Sequence, residues 1–283
     1  MPVVLFLSIP IPLIPHIQEF KLLPYIMFGT LRIPMYGLLI TLGTGLGVLV
    51  AAMRAKTRGI ARIDVINAAV FGGVGTFVGA KLLYLFTVAG YLSENFDSIV
   101  HDPQAMLSLL RQGYVFYGGL IGAIAGVYFY TRRYRLDFVG MLDLLIVSVP
   151  LIHAIGRVGC FCAGCCWGRP AAPPWGLLFN ASPVAPHDVT LFPVQLLEAA
   201  LNLTLFILLF CYARKKRPPL CVTTLYLCSY GIERFVLEYF RADTVRGSFL
   251  WFSTSQWISI LLSCAALCAF FLLRKKAQKQ RSA

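Results

Sequence analysis

Four clusters of positive charge, each at the end of an apolar stretch, constrain this chain more than any other feature. They are Arg54, Lys56, Arg58 and Arg62; Arg132, Arg133 and Arg135; Arg214 to Arg217; and Arg274 to Arg281. A bilayer-spanning helix needs roughly 20 apolar residues. Seven stretches meet that need, at about 35–53, 66–91, 113–131, 138–159, 193–213, 220–240 and 249–273. The basic clusters follow the first, third, fifth and seventh. With cytoplasmic loops enriched in Lys and Arg, seven alternating crossings put all four clusters on one side only if the N-terminus is outside and the C-terminus inside. The expectation is therefore an all-α polytopic membrane protein, one integral membrane domain over 1–283, with about seven spans.

Composition agrees. Charged residues make up 13% of the chain and hydrophobic ones 58%, against about 25% charged in a soluble domain. The net charge of +13 could suggest a nucleic-acid partner, but its placement beside apolar stretches excludes one. The first 34 residues lack a charged n-region and are broken by Pro2, Pro10, Pro12 and Pro15. They read as a retained segment lying against the outer face, as an interfacial helix. Residues 160–192 are long enough for a small outer cap, and residues 92–112 form an acidic outer loop with Glu94, Asp97 and Asp102. Small-xxx-small spacings among Gly72, Gly75 and Gly79, and among Gly118, Gly122 and Gly126, let the second and third helices approach closely.

Ionisable residues within a span are costly and so point to function. Tyr230, Arg234, Glu238 and Arg241 fall on one stripe of the sixth helix, and Glu238 can pair with either arginine. Two arginines against one carboxylate leave a positive excess suited to a phosphate, which guanidinium binds bidentately. The fourth helix adds His153 and Arg157 and is expected to break at Gly159. The fifth adds Gln195 and Glu198, the third begins with Tyr117, and the first with Tyr36. Asp143 reads as structural, and Lys81 as snorkelling or paired. Apart from Asp143 and Lys81, these positions converge on the outer level of the bundle.

Cys160, Cys162, Cys165 and Cys166 leave three readings open: structural disulfides or inert thiols, a redox-active C-x-x-C of Cys162 and Cys165, or a zinc site, from which the adjacent pair 165–166 departs in spacing.

The ordered motifs resemble the phosphatidylglycerol–prolipoprotein diacylglyceryl transferases. The matching pieces are Tyr36-Gly37, Gly79-Ala80-Lys81-Leu82, Tyr117-Gly118-Gly119-Leu120-Ile121-Gly122, Pro193-Val194-Gln195-Leu196-Leu197-Glu198, Tyr230-Gly231-Ile232-Glu233-Arg234 and Glu238-Tyr239-Phe240-Arg241. The signature segment, Gly-Arg-x-Gly-Asn-Phe-x-Asn-Gly-Glu-x-x-Gly, stands here as Gly156-Arg157-Val158-Gly159-Cys160-Phe161-Cys162-Ala163-Gly164-Cys165-Cys166-Trp167-Gly168, similar to a cysteine-rich variant of it. The resemblance implies a bacterial cytoplasmic-membrane enzyme with its active site facing the outer leaflet. Such enzymes move the diacylglyceryl group of phosphatidylglycerol, a membrane lipid, onto the lipobox cysteine of a prolipoprotein and release glycerol phosphate. It implies no cofactor and no metal.

By the match, Arg157 binds the head group and Arg234 acts on the leaving phosphate. Glu238 and Arg241 complete that network. Tyr36, Gln195, Glu198 and Tyr230 shape the pocket, and Gly156, Gly159 and Gly168 set the signature backbone. The family's His before Gly-Gly, a candidate base, is Tyr117, and a tyrosine's ordinary pKa of about 10 makes it a poor base; His153 is a possible substitute. Two other readings remain: a sibling enzyme taking an anionic phospholipid but a different acceptor, and a thiol–disulfide oxidoreductase using Cys162 and Cys165. A transporter would place charges through the full membrane depth, whereas here most lie in one half.

Overall fold

A computed structural model describes residues 22–111, 113–215, 217–242 and 248–282. The chain is mostly helical. Its helices are α1 (Met35–Arg54), α2 (Arg62–Thr87), α3 (Ala89–Glu94), α4 (Phe96–His101), α5 (Pro103–Arg111), α6 (Phe116–Arg133), α7 (Phe138–Leu145), α8 (Val149–Ala163), α9 (Val194–Tyr212), α10 (Cys221–Leu237) and α11 (Thr254–Ser282). Among the described residues, five helical segments are long and apolar enough to cross a membrane, or six if the bent pair of α5 and α6 counts as one crossing. Helix α10 falls short, at 17 residues.

Two compact units divide the chain. One comprises residues 44–152, 205–229 and 262–283. Its core joins Ala51, Ala55, Val65, Ala68, Val127, Tyr130, Met141 and Leu144, all buried. Helices α2 and α6 meet along the glycine stripes that the spacing predicts. A Cβ added to Gly122 would lie 2.0 Å from the Gly75 carbonyl oxygen, and one on Gly79 would lie 2.3 Å from that of Gly118. Only glycine lets the backbones come so close, and the close approach replaces the hydrophobic drive that lipid cannot provide.

Asp143 is structural, as expected. Fully buried, it accepts from the Thr223 backbone N–H at 2.9 Å and hydroxyl at 2.7 Å, capping the start of α10. Arg58 faces its other oxygen at 3.4 Å. Arg54 donates to the carbonyls of Leu144 and Ala213, so the first basic cluster also closes helix ends. Lys81 is paired: it donates to the Leu109 and Leu110 carbonyls at the end of α5. The Tyr84 and Tyr114 rings each lie 5.0 Å from its ammonium. The expected acidic loop is wound into α3, α4 and α5.

The other unit comprises residues 1–43, 153–204 and 230–261. Residues 1–21 of the expected interfacial helix lie outside the described residues. From Tyr25 the described part is a hairpin, β1 (Tyr25–Phe28) against β2 (Leu31–Pro34), turning at Gly29 with φ +60°. Tyr25, Ile26, Met27, Phe28 and Leu31 are exposed on it. The alternation of branched and aromatic residues around a glycine favours this hairpin over a helix. Of the 160–192 stretch read as a cap loop, residues 160–163 are the last turn of α8 and 164–192 form a short folded segment. It is pinned by β3 (Leu177–Leu178) against β4 (Thr190–Leu191) and packs Phe179, Ala185 and Leu191 with Leu22 and Phe161. A last short hairpin pairs β5 (Ser248–Phe249) with β6 (Phe252–Ser253).

Gly122→Ala is expected to lower the thermal stability of the detergent-solubilised protein by about 1–3 kcal/mol. Gly73→Ala, where an added Cβ meets nothing within 4 Å, should not lower it. Equal effects at the two positions would rule out the close α2–α6 approach.

Candidate active site

Helix α8 does not break at Gly159. It runs to Ala163, where Gly164 takes φ +67°. The Gly164 N–H then bonds the Phe161 carbonyl at 3.0 Å, and the Cys165 N–H bonds the Cys160 carbonyl at 3.1 Å. This is the Schellman arrangement, in which a left-handed glycine closes a helix and folds the chain back over its last turn. Gly159 has a different role. A Cβ there would come within 3.2 Å of the Tyr36 Cα, so its smallness lets α1 lie against α8. At Gly156, a Cβ would come within 3.0 Å of Ile40.

The continuous α8 keeps His153 and Arg157 on one face, opposite Glu198 from α9. Glu198 is fully buried. One carboxylate oxygen lies 2.9 Å from Arg157 Nη2 and 3.4 Å from His153 Nε2. The other lies 3.5 Å from Arg241 Nη1. Arg157 Nε donates to His153 Nε2 at 3.3 Å, so that ring nitrogen acts as an acceptor and the imidazole orients the guanidinium. The Tyr230 ring centre lies 5.5 Å from that of His153. Beside this cluster, Ala154, Ile155, Val158, Ala199, Ala200 and Leu203 line an apolar groove of about 190 Å³.

The stripe expected on the sixth helix is split. Helix α10 ends at Leu237, and residues 238–240 tighten into a 3₁₀ turn. Arg241 is extended, with φ −88° and ψ 149°, and forms a bridge with Gly168. Among the described residues Glu238 therefore pairs with Arg234, at 2.7 Å, while Arg241 turns to Glu198. Gly168 is required for this crossing, because a Cβ would lie 2.6 Å from the Phe240 carbonyl oxygen and 2.7 Å from that of Phe192.

Arg234 Nη2 also donates to the Ser255 hydroxyl at 3.2 Å. Its Nη1 is buried with no hydrogen-bond partner among the described residues. Gln195 Nε2 donates to the Cys165 carbonyl at 2.7 Å, fixing the signature turn to α9.

Tyr117 belongs to the other unit, at the start of α6, with its ring edge-on to Phe116. Two partners were missed from sequence. Asn202, one turn after Glu198, donates to Glu233 at 2.6 Å, and Ser255 holds Arg234. The i, i+4 spacing of Glu198 and Asn202 was the available signal for the first; nothing local marks Ser255.

The cysteines group differently from the C-x-x-C reading. Ala163 and Gly164 are the helix cap, and the cap returns Cys165 and Cys166 to Cys160. These three sulfurs all lie within 4.8 Å of one another, and Cys162 is not among them.

Comparison with known proteins gives the site its context. The family model described as prolipoprotein diacylglyceryl transferase matches residues 24–272. The chain belongs to this family. A phosphatidylglycerol–prolipoprotein diacylglyceryl transferase of Clostridium tetani is 36% identical over 252 residues, covering 89% of this chain and 97% of the relative. One from Methylococcus capsulatus is 31% identical, covering 91% and 96%. A second such transferase, of Clostridium perfringens, is 29% identical, covering 90% and 96%.

Glu198→Gln should lower stability by about 3–5 kcal/mol, because it removes the buried carboxylate charge that Arg157 and Arg241 share. Thermal unfolding in detergent checks this, and an unchanged midpoint would remove Glu198 from the centre of the network.

Proposed function

We propose that this chain transfers the diacylglyceryl group of phosphatidylglycerol to the lipobox cysteine thiol of a prolipoprotein, releasing glycerol phosphate. The observation that carries the chemistry is a set of three arginines, Arg234 and Arg241 buried and Arg157 partly so, on two carboxylates. Arg157 and Arg241 share Glu198, leaving one positive charge in excess, and Arg234 keeps an N–H unengaged among the described residues beside Glu238. Such preorganised donors stabilise the charge that develops on a leaving phosphate.

Arg157 holds the lipid head group, and the apolar groove beside it takes an acyl chain. Arg234 faces the leaving phosphate, and Glu238 keeps its guanidinium in place. Arg241 and Glu198 brace Arg157. Tyr36, Gln195 and Tyr230 shape the pocket, and Gly156, Gly159 and Gly168 keep its backbone close. Seven crossings, with the N-terminus outside and this site at the outer leaflet of the bacterial cytoplasmic membrane, suit an acceptor that is exported before it is lipidated.

The acceptor thiol must still lose its proton, since thiolate is the nucleophile. His153, whose Nε2 accepts from Arg157 Nε at 3.3 Å, is the candidate base, since a phenol such as that of Tyr117 is a weak base at neutral pH.

Purified protein given phosphatidylglycerol and a lipobox peptide should release glycerol phosphate and add a diacylglyceryl mass to the peptide cysteine. Arg157→Ala and Arg234→Ala should each reduce both signals by about 100-fold or more. Arg157→Lys should restore little, for lack of the planar fork. Release without peptide modification would assign the sibling activity, with a different acceptor. Full activity in both alanine variants would end the arginine mechanism.

A further inference from the structure

The three converging thiols have no role in the chemistry described so far. Their convergence is built by the helix cap. Cys160 is three residues before the cap residue Ala163, Cys165 is two after it, and a Schellman closure brings those two positions together. Cys166 follows with φ +60°, which turns its side chain back to the same point. Cys160 is buried, and Cys165 and Cys166 are half-buried, so the group is not sealed off.

Metal–thiolate bonds of about 2.3 Å place three bound sulfurs about 4 Å apart, and these sulfurs already lie within 4.8 Å of one another. Among the described residues, no fourth Cys, His, Asp or Glu joins them. Three protein ligands and one open position mark a reactive rather than a purely structural zinc site. Soft sulfur ligands favour zinc over the hard divalent cations.

We propose that Cys160, Cys165 and Cys166 hold a Zn²⁺ ion whose open fourth position binds the acceptor cysteine and deprotonates it. The inference rests on the transferase reading. A thiol coordinated to zinc is deprotonated outright, so the step needs no separate general base. The acceptor S–H proton leaves to solvent as the sulfur binds. That sulfur then attacks the glyceryl carbon of the lipid. The new S–C bond forms as the C–O bond to phosphate breaks, and the bond's electron pair stays on the phosphate oxygen of the departing glycerol phosphate. Arg157 lies three residues before Cys160 on the same face of α8, so the proposed lipid anchor and the proposed thiol site are neighbours on one helix.

The test uses the purified full-length protein in detergent, stripped with a chelator and titrated with Co²⁺ as a spectroscopic stand-in for Zn²⁺. One equivalent should give thiolate-to-cobalt charge-transfer and tetrahedral visible bands, which excess Zn²⁺ abolishes. Lipobox peptide should shift those bands, and the same peptide with serine for cysteine should not. Cys165→Ser and Cys166→Ser should lose the bands, and Cys162→Ser should keep them. Stripping should abolish peptide lipidation and one equivalent of Zn²⁺ should restore it, a comparison made on wild-type protein and so independent of any variant's folding.

Absent bands, or bands blind to the peptide, with undiminished transfer by stripped protein would overturn the zinc site and leave the transferase standing. A Cys160 disulfide in place of metal binding, removed by reductant, would overturn it too. Peptide-sensitive bands without transfer under any condition would overturn the transferase reading instead.

Discussion

The buried carboxylate of Glu198 is the charge on which the site-bearing unit depends. Arg157 from α8 and Arg241 from the stretch after α10 both reach it, with His153 beside them. Two guanidinium groups taken out of water without a counter-charge would carry a large desolvation cost and repel each other. With Glu198 between them the cost is partly offset and their positions are fixed. One positive charge is left over, in surroundings where a charge acts strongly. An anion arriving there meets donors already aimed, with no reorganisation to drive during reaction.

That arrangement exists because α10 stops. Had the helix continued past Leu237, Arg241 would have remained on the stripe with Arg234 and Glu238, two arginines sharing one carboxylate. The 3₁₀ turn and the bridge to Gly168 carry Arg241 away to Glu198 instead. Each carboxylate then serves its own cluster, and Arg234 retains a free N–H among the described residues. A glycine at 168 is what admits the bridge, since any Cβ would strike two carbonyl oxygens.

Much of this was legible in the sequence. Apolar length and charge placement marked the long helices, small-residue spacing gave the α2–α6 contact, and the rarity of charge in an apolar chain singled out Arg157, Glu198, Arg234 and Glu238. The errors share one physical origin, the ends of helices. Gly159 looked like a helix breaker, but a mid-helix glycine costs only about 1 kcal/mol, and close packing against Tyr36 puts it to use. Arg241 kept helical register on paper because periodicity cannot see a 3₁₀ turn enforced by pairing with a distant glycine. Ser255 was invisible because its partner is 21 residues away on another element.

The cysteine-rich signature follows from the same cap geometry. In a Schellman closure the residue three before the cap and the residue two after it face each other whatever their chemistry, because left-handed Gly164 and two backbone hydrogen bonds do the folding. Those positions are Asn and Glu in the family's pattern and Cys160 and Cys165 here, so a facing pair has been exchanged for another facing pair. The backbone has no stake in the exchange, and Gln195 still grips the Cys165 carbonyl at 2.7 Å. The substitution therefore alters what the turn can bind while leaving Arg157, one helical turn back, on Glu198.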